Sequence, residues 1–205
     1  MKPTIILAAA ALALAGAAHA QMPPGGMPKI ERVMGTVTAL SDTAITLAEA
    51  GGKTETIPLL PTWAVSVSKP ITVEDIQPGS YLGTTNHPTG TGSGISTEVH
   101  VSPPGQGGPG VDFVMDAAAN TTMTNGTVST VVKTDGGRAL TVDYGHGVRT
   151  VTVPPGVPVV LNSPGSRDMV KVGAVVGVMT MTPTNGGPTR QVVRIGANGA
   201  PPPAM

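Results

Sequence analysis

Near the C-terminus the chain reads Met179-Thr180-Met181, which puts two thioethers two residues apart. On a β-strand that spacing sends both sulfurs to one face, and soft thioether ligands suit Cu(I). Met179 and Met181 are therefore the candidate metal ligands, and copper is the cofactor they would imply. Two thioethers alone make a weak site. A third ligand would have to come from His87, His146 or the tail residues Met22 and Met27. Methionine is also a frequent gap-filler in cores, so packing is the competing reading and the favoured one.

Catalysis is harder to assemble. A hydrolase needs a nucleophile, a base in reach and a group that orients the base. His87 precedes a proline, His146 lies in "YGHGV", and only His100 has a carboxylate neighbour on its own strand face, Glu98. No G-x-S-x-G elbow places a serine. The glycines of "HPTGTGSG" lack the lysine and the following helix that a phosphate loop requires, so a hairpin turn is expected there. No catalytic residue is assigned. Trp63 shares its strand face with Val65 and Val67 and reads as core before it reads as a stacking platform.

Composition narrows the partners. Twelve basic residues balance twelve acidic ones, which leaves no field to steer nucleic acid. Charged residues make up 12% of the chain, about half the usual ~25%. Lys2, the apolar run Ile5 to Ala18 and Ala18-His19-Ala20 have the form of a secretory signal peptide over residues 1–20, cleaved before Gln21. No later run approaches the ~18 apolar residues of a spanning helix. The chain has no cysteine, so an exported product would fold without disulfides. Periplasmic or secreted localisation follows as an expectation. Asn120 and Asn125 open formal glycosylation sequons, which read here as turns.

These residues must be held by strands, because period-two alternation dominates. "WAVSVS" sets Trp63, Val65 and Val67 against Ala64, Ser66 and Ser68. "ISTEVHV" sets Ile95, Thr97, Val99 and Val101 against Ser96, Glu98 and His100. The pattern also recurs. "GTVTAL" at Gly35 is answered by "GTVSTV" at Gly126, "ITL" at Ile45 by "LTV" at Leu140, and "TIP" at Thr56 by "TVP" at Thr152. Gly79 and Gly83 are answered by Gly173 and Gly177. The expectation is an all-β protein of two tandem small OB-like β-barrels, residues 30–102 and 122–196. A Pro/Gly-rich linker or irregular strap over 103–121 would join them, and 197–205 would form a disordered tail. Gly79 and Gly173 are expected at tight turns that close each barrel.

The patterns "G-T-V … I-T-L … D-I-x-P-G-x-Y-L-G-T-T", "T-M-T-N-G-T-V" and "V-P-P-G-V-P-V-V" resemble exported bacterial proteins with tandem OB-like domains of unknown function. That resemblance covers most of the mature chain and implies a β-barrel architecture and export, with no catalytic or ligand residues. The "M-T-M" strand is similar to one in small periplasmic copper-binding OB proteins, which add a His and a Trp over the metal. Here only the two methionines match, since Val175, Val176, Gly177 and Val178 precede them. The function these readings favour is a non-catalytic exported module that binds or supports another envelope component, a polysaccharide or a protein. Cu(I) binding is the alternative and an enzyme with an unrecognised site the third.

Overall fold

The computed structural model describes Gly26 and residues 28–203. The signal-peptide reading and the tail residues Met22 and Met27 lie outside the described residues. Among the described residues thirteen strands join in one all-β sheet. In the first half they are β1 (Lys29–Leu40), β2 (Ala44–Ala48), β3 (Thr54–Pro58), β4 (Ala64–Ile71), β5 (Tyr81–Gly90) and β6 (Ser93–Ser102). After β7 (Val111–Asp116), the second half lays down β8 (Thr121–Thr134), β9 (Gly137–Asp143), β10 (Val148–Val153), β11 (Val159–Gly165), β12 (Val175–Thr182) and β13 (Arg190–Gly196). No described helix is long and apolar enough to cross a membrane.

Five strands close a barrel: β8, β9, β10, β6 and β5, with β10 and β6 parallel at the closure. Three of them come from the second half and two from the first. The segments 30–102 and 122–196 are therefore not two separate closed barrels. The reciprocal arrangement holds on the other side, where β12 and β13 of the second half add to β1, β2 and β3 of the first. There the ring is not closed by strand pairing. Instead the Gln191 side chain on β13 donates to Pro58 O (3.0 Å) at the end of β3 and accepts from Leu60 N (2.9 Å) just beyond it.

Two short connections carry the exchange. A 3₁₀ turn at Val73–Asp75 leads to Gly79, whose N–H donates to Val128 O on β8 at 2.8 Å. Its counterpart at Arg167–Met169 leads to Gly173, whose N–H donates to Val37 O on β1, also at 2.8 Å. Both glycines have φ +88°, the left-handed region that a side chain would strain. Each half thus sends its last hairpin to the first three strands of the other half. β4 and β11 pair antiparallel at the centre, with Ser68 opposite Asn162.

Two hydrophobic cores result. One gathers Val37, Ile45, Leu47, Trp63, Val176 and Val193; the other gathers Ile76, Leu82, Val99, Val128, Leu140 and Val151. Trp63 is buried in the first, with the Arg167 guanidinium 4.6 Å from its ring centroid. Alternation in "ISTEVHV" breaks midway. Thr85 pairs Glu98 and Asn86 pairs Ser96, so Thr97 is an extra residue in β6. That bulge turns Ile95 outward and Ser96 inward, while Val99 and Val101 stay in the core.

The segment read as an irregular strap contains a regular strand, β7, antiparallel to β8. Asn125 lies inside β8 and not in a turn, whereas Asn120 does sit in one, with φ 50°. Of the residues expected as a disordered C-terminal tail, several of those described pack instead. A 3₁₀ turn at Ala197–Gly199 lies against β4 and Pro202 is buried. The hairpin expected at "HPTGTGSG" joins β5 to β6, and the segment "TPTNGGPT" joins β12 to β13.

Candidate functional site

Along β6, β11, β4, β13, β12 and β1 the sheet has one face toward the cores and one away from them. On the outer face the register places His100 on β6, Asn162 on β11, Ser68 on β4, Arg194 on β13, Gly177 and Met179 on β12, and Arg32 and Met34 on β1. Laid flat, β6 and β1 would stand roughly 24 Å apart at the usual strand spacing. The Arg32 charge is nevertheless among the influences that lower the Glu98 carboxyl on β6.

One end of the face is a polar chain. Ser68 Oγ donates to Asn162 Oδ1 (2.7 Å), and Asn162 Nδ2 reaches His100 Nδ1 (3.3 Å). With Nδ1 accepting, the imidazole proton sits on Nε2, which lies 3.6 Å from Glu98 Oε2. Thr85 Oγ1 donates to Glu98 Oε1 at 2.9 Å. The His100 contact first, then the Thr85 hydroxyl and the Arg32 charge, hold the Glu98 carboxyl below its ordinary range, against the upward push of burial. Both nearby hydroxyls donate into the chain, so what the geometry does is tie β5, β6, β11 and β4 together. His87 lies elsewhere, with its Nδ1 3.0 Å from Asn120 O, and His146 is exposed in the turn after β9.

The other end holds the methionines. Met179 and Met181 do alternate onto one face of β12, opposite the core residues Val176 and Val178. β1 brings Met34 opposite Gly177, diagonal to Met179. Neighbouring strands supply this third thioether, and no spacing along the chain could have revealed it. A groove of about 110 Å³ is lined by Arg32, Val33, Met34, Gly177, Met179, Val192 and Arg194. Neither Met181 nor any histidine lines it. The charge here is of the wrong sign for a cation, since a neighbouring like charge near a protein surface costs up to about 4 kcal/mol at contact distance.

Two larger clefts open at corresponding places. One, of about 540 Å³, lies at the mouth of the closed barrel between Thr72–Glu74, the β8–β9 turn and Pro154–Val157, with Arg138 Nε 3.6 Å from Glu74 Oε1 on its rim. The other, of about 430 Å³, lies between the β1–β2 turn (Ser41, Asp42), Trp63 and Arg167–Asp168. Sequence reasoning missed both, because each is built where one half's 3₁₀ turn meets the other half's hairpin.

No family model, curated protein or solved structure matches this chain.

Proposed function

We propose that the protein is a non-catalytic binding module of the cell envelope, exported to the periplasm or beyond, with two OB-like barrels that share their last hairpins. The observation that carries this reading is the pair of clefts at corresponding barrel mouths, each walled by both halves. Ligand sites favour such concave places with an apolar floor and a few polar groups on the rim. In the closed barrel the floor is Val153, Val157 and Val159, and the rim carries Glu74, Lys133, Asp135 and Arg138. The partner this suits is an uncharged or mixed-charge chain, a polysaccharide or a peptide. The sequence resemblance to exported tandem OB-like proteins points the same way. A screen of envelope glycans and peptides against the mature protein tests it, with Lys133→Glu/Arg138→Glu as the cleft variant. Binding that the double variant weakens at least tenfold is expected; binding by neither protein, or equally by both, would sink the proposal.

A second reading, Cu(I) held by Met179 and Met181, gains the adjacent Met34 and is opposed by Arg32 and Arg194. Cu(I) titration of the wild type against Met179→Leu/Met181→Leu separates them. Leucine keeps the bulk and removes the sulfur, so equal uptake leaves the methionines as packing.

A further inference from the structure

The groove over Gly177 carries an inference of its own, on residues that line neither mouth cleft. We propose that it binds an oxyanion, a carboxylate or phosphate group carried on a molecule with an apolar neighbour, with Arg194 and Arg32 as its cationic walls.

Three observations converge on that groove. Arg194 Nε is shielded from solvent and has no hydrogen-bond acceptor, and among the described residues no carboxylate lies within ion-pair distance of Arg194 or Arg32. A half-buried guanidinium without a counterion is costly, and a second one close enough to repel it adds to the cost. Burial first, and the Arg32 charge second, push the Arg194 guanidinium down from its ordinary range, with Glu98 opposing. The charge of Glu98 is already engaged with His100 and Thr85. An arriving anion would find two unpaired cations, one of them with a donor already desolvated.

Gly177 supplies the second observation. It sits in the interior of β12, where glycine is disfavoured, yet its φ is not in the left-handed region. A Cβ there would meet only Met34 Cε, at an ordinary 3.9 Å. Its counterpart Gly83 is crowded, with Asn125 Oδ1 at 2.6 Å from the same imagined atom. Neither backbone nor packing demands a glycine at 177. What the missing side chain leaves is an open floor directly between Arg194 and Met34, its paired residues on either side.

The third observation is size and lining. About 110 Å³ has room for a headgroup the size of phosphate or carboxylate. Met34, Met179, Val33 and Val192 line the rest of it with apolar surface. Guanidinium forks match such oxyanions in a bidentate manner.

The test follows the Nε–H resonances of Arg32 and Arg194 by NMR in the mature protein. It is titrated separately with sodium phosphate and sodium acetate, against sodium chloride at equal ionic strength. A saturable shift with phosphate, acetate or both is expected, and which salt saturates names the headgroup. Arg194→Gln should weaken that binding at least tenfold without lowering the melting temperature, because it removes an unpaired charge. Gly177→Val fills the floor and should abolish binding in a folded protein; Gly177→Ala, one carbon in open space, is the milder version should valine disturb the strand. Shifts that merely track ionic strength, or wild-type affinity in Arg194→Gln or in a folded Gly177 variant, would overturn the proposal.

Discussion

Replacing Asp112 with alanine should be among the most destabilising single changes in this chain. Asp112 on β7 and Arg149 on β10 are 6% and 7% exposed. Arg149 Nε donates to Asp112 Oδ1 (2.7 Å) and Nη2 donates to Oδ2 (2.8 Å), a bidentate pair. Arg149 Nη1 also donates to Ser93 O (3.0 Å), and Thr124 Oγ1 donates to Asp112 Oδ1 (2.7 Å). This pair pins β7 onto the closed barrel. The alanine leaves a buried guanidinium with one carbonyl for company, and breaking a buried pair from one side costs about 3–5 kcal/mol. At this chain length that corresponds to a fall in melting temperature of roughly 6–20 °C. Urea unfolding followed by far-UV circular dichroism and by Trp63 fluorescence is the assay. Trp63 lies in the other core, so coincident curves would also report that the shared strands make the cores one cooperative unit. Asp112→Leu/Arg149→Met removes both charges and keeps apolar bulk, and should recover most of the loss. A single-variant cost under about 1 kcal/mol, or a double variant as unstable as the single, would refute the charge argument.

The connecting glycines should be sensitive for a different reason. With φ +88° and no atom within 4 Å of an added Cβ, Gly79→Val and Gly173→Val should each cost about 1 kcal/mol or more through backbone strain alone, and Asn should cost less; thermal melts that do not move would refute this. Glu98 is held below its ordinary range in the folded state, so its contribution to stability is present above that range and fades as pH falls through the lowered folded value. Acid titration of stability should therefore be flatter in Glu98→Gln below roughly pH 4, and an identical acid limb would remove Glu98 from the account. Finally, residues 28–106 expressed without 107–203 should fail to give a folded monomer, because β5 and β6 lose β8 and β10; a cooperative monomeric melt of that fragment would contradict the exchanged pairing.

How much of this was legible follows from what period-two patterning encodes. Alternation tells which face of a strand is apolar, so Ile45, Leu47, Leu140 and Val142 were readable as core. The all-β class and the hairpin between β5 and β6 were readable too. A bulge is invisible to it, which is why Ile95 and Ser96 came out reversed. The buried pair Asp112–Arg149 left no trace, since its partners lie 37 residues apart in sequence with no motif between them. The strand exchange is the deeper case. When two halves carry matching strands, β5 meets nearly the same surface on β8 that it would meet on β1, so the burial pattern is satisfied by either pairing. The choice falls to the connections. After β4 the chain lies against β11, with Ser68 opposite Asn162, and the short run through Thr72 to Ser80 delivers β5 to β8, where Gly79 and Ser80 bond to Val128. Since the second half repeats the step onto Val37, neither half is left with an unpaired hairpin. The partner of each strand is thus set by the reach of some ten residues, and that reach is a property of the folded connection, to which hydrophobic alternation is blind.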